Sequence, residues 1–118
     1  MRREELFLRD IVEAADHIAQ FIVGLDRSGF QQSELVRSAV IQKLALIGEA
    51  AARVSAEVQT RSPEVPWPKI VAFRNILVHA YFGIDWGEVW RAATKESPAL
   101  RAQVESILRA EFTGDSDE

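Results

Sequence analysis

The stretch SELVRSAVIQKLALIGEAAARVSAEV, residues 33–58, decides the fold. Val36, Val40, Leu44, Ile47, Ala51, Val54 and Val58 recur at steps of three and four, the spacing of one face of an α-helix. Leu35, Ala39, Leu46 and Ala50 lay a second apolar stripe beside the first. A helix with two apolar stripes has to be covered from two directions, so this segment is expected to be central, with Ser33 as its N-cap. At about 27 residues it would be roughly 40 Å long. Gly48 sits in its middle, at a cost of about 1 kcal/mol against alanine. Either a neighbouring helix approaches closely there, or the glycine is simply tolerated.

The flanking sequence supplies the rest of a bundle. From Arg3 to Leu25 the residues Phe7, Ile11, Ala14, Ile18, Ile22 and Leu25 keep helical period, and Gly24 with Arg27-Ser28-Gly29 provides turn chemistry. Downstream, Pro63, Pro66 and Pro68 forbid a helix across residues 62–67, while Pro68 suits the first turn of a third helix running to about residue 81. Gly83 is its expected stop, and Asp85 caps a fourth helix over 85–96 that carries Trp86, Val89, Trp90 and Ala93 on one side. Ser97-Pro98 opens a fifth, with Leu100, Val104, Ile107 and Leu108 as its apolar face. The expectation is an all-α antiparallel helical bundle of about five helices. Residues 1–110 form a single domain, followed by an acidic, disordered tail over 111–118.

Composition bounds what such a bundle can do. The 118 residues are 47% hydrophobic and 27% charged, which is globular usage, and a chain of this size has room for one core. The absence of cysteine removes disulfides, thiolate metal sites and cysteine nucleophiles, and a cytoplasmic setting is expected. Charge interrupts Met1–Asp10 before an apolar signal core can form, and no apolar run is long enough to span a bilayer. The net charge of −4 is local: Glu111, Asp115, Asp117 and Glu118 lie at the C-terminus, which leaves 14 acidic groups against 14 basic ones in residues 1–110. A neutral body argues against the broad basic surface of a duplex-DNA binder but allows a local arginine cluster.

Chemistry concentrates in FRNILVHAY, residues 73–81, where an arginine, an amide, an imidazole and a phenol fall within an otherwise apolar helix. Asn75 and His79 are four apart and share a face. Ile70, Phe73, Ile76 and Leu77 form the expected core side, with Tyr81 at its edge. Val71 and Val78 lie between Arg74 and His79, an apolar strip that suggests a buried protein contact. Arg74 and His79, five apart, are separated by about 140° around the axis, so one chain does not aim both at a single phosphate. Across a two-fold axis, two copies of the helix could line one cleft with both pairs.

Arg74-Asn75-Ile-Leu-Val-His79-Ala-Tyr81 resembles the R-X4-H-X-Y signature of HepT-type toxins of the HEPN superfamily. Ile47-Gly48-Glu49-Ala50, Pro66-Trp67 and Tyr81-Phe-Gly-Ile-Asp85 are similar to the same family, and the likeness covers nearly the whole chain. The resemblance implies a homodimeric HEPN-like bundle that cleaves RNA without a metal or other cofactor. It also implies a cognate minimal nucleotidyltransferase antitoxin that adds AMP to the motif tyrosine, here Tyr81. Arg74 and His79 are then the catalytic pair, the guanidinium forking onto a phosphate and the imidazole, which ordinarily titrates near pH 6.5, moving the proton. Asn75 supports them by orienting His79 or contacting RNA.

Plainer readings compete residue by residue. Arg74 could pair with an acidic neighbour and His79 with a helix-end carbonyl. His17, beside Asp16 and four after Glu13, reads as surface pairing, and Glu49 with Arg53 as a structural i,i+4 pair. Trp67, Trp86 and Trp90 could stack on bases, but their spacing favours core or interface. At the level of function, the alternatives to a nuclease are a catalytically inactive binding partner modified by the nucleotidyltransferase, and a structural dimer module in which these polar groups only fix register.

Overall fold

Seven α-helices form among residues 2–112, the part of the chain that the computed structural model describes. They are α1 (Arg2–Phe21), α2 (Arg27–Gln32), α3 (Glu34–Arg53), α4 (Ala56–Arg61), α5 (Trp67–His79), α6 (Trp86–Arg91) and α7 (Ser97–Glu111). A 3-10 turn at Tyr81–Gly83 follows α5, and a π turn at Ala92–Glu96 joins α6 to α7. No strand occurs among the described residues. The fold is all-α, as its periodicities require.

The helix expected to carry two apolar stripes is central, with α3 packed against both α1 and α5 and α1 carrying α7 in turn, but the second stripe is only partly covered: Ala50 is buried, whereas Leu35 and Leu46 are exposed. Polar contacts fix the directions. The Ser55 N–H, just beyond the end of α3, donates to both carboxylate oxygens of Glu4 at the start of α1, at 3.2 and 3.0 Å, so α1 and α3 run antiparallel. Arg101 near the start of α7 meets Asp16 near the end of α1 at 2.8 Å, which makes that pair antiparallel as well. The core runs through Leu8, Ile11 and Ile18 of α1, Val40, Leu44 and Ile47 of α3, and Val104 and Ile107 of α7. The resulting body is elongated, 46 × 28 × 20 Å.

Several boundaries differ from the sequence reading. The long second helix breaks at Val54–Ser55 into α3 and α4, although Val54 and Val58 are both buried and keep the period. The break is well capped: Ser55 Oγ accepts from the Val58 N–H at 3.2 Å, and the Gln59 amide donates to the carbonyls of Val54 (3.1 Å) and Ala51 (3.4 Å). Arg27-Ser28-Gly29 opens α2 instead of a plain turn, because Asp26 accepts from the Gly29 N–H at 2.8 Å. That short helix delivers Phe30, fully buried, against the rings of Trp90 and Trp86. The first helix stops at Phe21, and Leu8 takes the buried place assigned to Phe7, which is half-buried.

Beyond residue 85 the chain does not restart at Pro98. Arg91 and Ser97 both hold helical dihedrals, so α6 runs into α7 through the π turn. Proline has no N–H and crowds the carbonyl four residues before it, and a wider π turn immediately upstream relieves that crowding. Glu111, placed by its charge in the acidic tail, is the last residue of α7 and pairs with Arg61 at 2.6 Å, and Phe112 is buried. The remaining tail, 113–118, lies outside the described residues. Ser33 and Asp85 cap α3 and α6 as their sequence contexts require. No helix among the described residues is long and apolar enough to cross a membrane.

Candidate functional site

The site begins with a missing side chain. A Cβ built on Gly48 would fall onto the Cβ of Arg74 and lie 2.7 Å from its Cγ and 3.4 Å from the Ile70 carbonyl. The glycine is therefore what lets α5 lie so close to α3, and the contact line on α5 passes through Ile70, Arg74 and Leu77. This rotates the helix relative to the expectation from its apolar pattern. Leu77 is buried and Ile70 and Phe73 are half-buried, but Ile76, expected in the core, is 51% exposed. Periodicity gives the width of an apolar stripe, whereas the docking angle depends on where the partner leaves a gap.

With its stem held against α3, Arg74 is only 24% exposed. One terminal nitrogen, Nη1, donates to the amide oxygen of Asn75 at 2.9 Å, and Nη2 meets the carboxylate of Glu49 at 3.5 Å. The Nε–H is buried with no acceptor among the described residues. A guanidinium has five N–H donors, so one N–H remains on each terminal nitrogen. Each of these can donate to an oxygen of a phosphate or carboxylate. Glu49 also pairs with Arg53 at 3.2 Å. The i,i+4 pair is thus present, but its role as a partner of Arg74 was not legible from spacing, because it depends on the Gly48 contact between helices.

His79 ends α5 on the exposed side, and no hydrogen bond of the described residues engages its ring. Asn75, four residues before it, is also exposed, but its amide oxygen serves Arg74 and not His79. Tyr81 does not continue the helix. It sits in the 3-10 turn, 44% exposed, with its ring edge-on to Phe82 at 5.6 Å. Around these polar groups the surface is apolar: Ile76 and Val78 are half-exposed and Phe82 is entirely exposed. Helical spacing points to Val71 and Val78 as such a strip. Val71 packs on the core, and Ile76 and Phe82 extend the exposed part.

Within one chain, Arg74 is gathered with Asn75 and Glu49, whereas His79 and Tyr81 stand apart from that cluster. Among the described residues, surface grooves of about 510 and 490 Å³ lie beside Arg27, Trp90, Arg91 and Lys95 and beside Arg9, Asp16, Glu105 and Leu108. Neither touches Arg74, His79 or Tyr81. No three His, Cys, Asp or Glu side chains among the described residues gather as metal ligands. His17 stacks on Phe21 and leaves its Nδ1 buried without a partner, so it is not the surface ion pair its neighbours suggested. Trp67 is buried and donates to the Ser62 carbonyl at 3.1 Å, and Trp86 and Trp90 pack on the core.

The family described as Ribonuclease HepT-like matches residues 11–107, which include every residue of this site. A protein of Methanocaldococcus jannaschii named "Putative RNase MJ1380" is 36% identical over 106 residues, covering 90% of this chain and 97% of that one. A Thermococcus cleftensis protein named "Probable ribonuclease HepT" is 31% identical over 108 residues, covering 92% and 98%. No solved structure matches the chain.

Proposed function

We propose, from the premise that this chain belongs to the Ribonuclease HepT-like family, that it is a metal-independent endoribonuclease acting as a homodimer. The carrying observation is the surface of α5 and its turn. Arg74, the free ring of His79 and the exposed Tyr81 lie on α5 and the turn after it, and the same segment exposes Ile76, Val78 and Phe82, apolar side chains that a second copy would cover. An isologous contact there would present each polar group twice. It would also let the Arg74 of one chain and the His79 of the other approach one phosphate.

In such a cleft the ribose 2′-oxygen attacks the adjacent phosphorus as the bond to the 5′-oxygen breaks, giving a 2′,3′-cyclic phosphate and a 5′-hydroxyl. One His79 in its neutral form takes the 2′-proton. The other, protonated, gives a proton to the leaving oxygen, so the charges balance. Each proton transfer contributes about 10²–10⁴-fold, and the two remaining N–H groups of Arg74 stabilise the extra charge on the phosphoryl oxygens. Arg74→Ala and His79→Ala are expected to lower RNA cleavage by about 10²-fold or more without loss of helicity, and EDTA should have no effect. Inhibition by EDTA would contradict the mechanism.

Toxicity and its control belong to the same reading. The partner is a minimal nucleotidyltransferase antitoxin on which the phenol oxygen of Tyr81, exposed in its turn, loses its proton and attacks the α-phosphorus of ATP, so that AMP is joined to the tyrosine and pyrophosphate leaves. Mass spectrometry after incubation with that enzyme and ATP should show added AMP on the native chain and none on Tyr81→Phe. The exposure of Tyr81 equally suits a second reading, a catalytically inactive chain whose task is to be modified. AMP addition to a chain that cleaves no RNA would select it.

A further inference from the structure

Glu49 stands one residue beyond the glycine that admits Arg74, and its carboxylate reaches that arginine across the α3–α5 crossing. We propose that Glu49 is a positioning residue for Arg74, an inference that rests on the reading of Arg74 as the phosphate-binding group. Two observations carry it. The Gly48 gap pins the arginine stem, so its guanidinium can be steered only by groups close to that point. The two terminal nitrogens are held by acceptors from different helices, Asn75 on α5 and Glu49 on α3. Acceptors at both ends restrain the swing of a planar group about its Cδ–Nε bond, and with it the direction of the N–H groups that remain.

Arg53 completes the arrangement. A carboxylate beside a phosphate-binding arginine repels the substrate, but Glu49 shares its charge with Arg53 at 3.2 Å, on the oxygen that does not face Arg74. Glu49 thereby accepts from Arg74 while Arg53 offsets its charge. Positioning and repulsion then act on different kinetic constants: the acceptor on kcat, through the aim of the guanidinium, and the charge on KM.

The test compares Glu49→Ala, Glu49→Gln, Arg53→Ala and Arg74→Ala in cleavage of a short single-stranded RNA of mixed sequence. Misaiming a catalytic group by about 1 Å can cost up to about 100-fold, so Glu49→Ala should lower kcat by about 10-fold to 100-fold with KM within roughly twofold. Glu49→Gln should recover kcat, because an amide oxygen accepts the same N–H, and should lower KM. Arg53→Ala should keep kcat and raise KM. If Arg74→Ala abolishes cleavage while Glu49→Ala retains the native kcat, Glu49 has no positioning role and the nuclease reading stands. If Arg74→Ala cleaves like the native chain, the nuclease reading itself fails. A readout independent of cleavage is nitrogen-15 NMR of the Arg74 side chain. Rotation of the guanidinium should be hindered in the native protein and in Glu49→Gln but fast in Glu49→Ala, and equal rates in all three would overturn the proposal.

Discussion

A methyl group at residue 48 is the smallest change that tests the α3–α5 contact. Helix propensity alone favours Gly48→Ala by about 0.5–1 kcal/mol, but the new Cβ would collide with the Arg74 stem. Over-packing of this kind costs about 1–3 kcal/mol, so the collision wins. Urea unfolding should show Gly48→Ala to be less stable than the native chain, with RNA cleavage reduced because Arg74 is displaced. Gly83→Ala, whose Cβ would meet open space, should leave stability nearly unchanged. A stabilised Gly48→Ala would show that the helices do not touch there. The sequence offered close approach or mere tolerance at this glycine, and the structure decides for close approach.

Between residues 53 and 56 the chain makes a break that its apolar pattern conceals. Ser55→Ala removes the acceptor for the Val58 N–H and should cost about 0.5–2 kcal/mol in thermal or urea unfolding, whereas an unbroken helix would be indifferent or slightly stabilised. Helices with a capping residue at a change of pattern, such as α3 behind Ser33 and α6 behind Asp85, were legible from sequence. The break into α4 was not, because Val54 and Val58 hold the period across it. Nor was α2, whose Asp26 cap and buried Phe30 sit in a stretch rich in turn residues. At the candidate site, the polar residues Arg74, Asn75, His79 and Tyr81 stand out in the sequence because they interrupt an otherwise apolar helix. The rotation of α5 and the partnership of Glu49 depend on an inter-helix gap and could not be read from it.

Over the whole molecule, a few contacts tie distant parts of the chain, and Arg61–Glu111 links α4 to the last turn of α7. The hydrogen bond from Arg61 holds the Glu111 carboxyl below the ordinary glutamate range, against a smaller upward push from burial. A carboxyl lowered in the folded state contributes stability above its unfolded value and loses that contribution as pH falls through the folded one. Melting curves across pH should therefore show the native chain ahead of Glu111→Gln at neutral pH, with the lead vanishing in acid. A lead independent of pH would contradict the ion pair. The central proposal concerns the same scale: that two chains meet over the exposed apolar side chains Ile76, Val78 and Phe82 and build one cleft between them. Sedimentation equilibrium tests it most directly. The native chain should run at twice its 13.2 kDa, and the double variant Val78→Asp, Phe82→Asp should run as a single chain and cleave no RNA. A native protein that sediments as one chain and still cuts RNA would contradict the account.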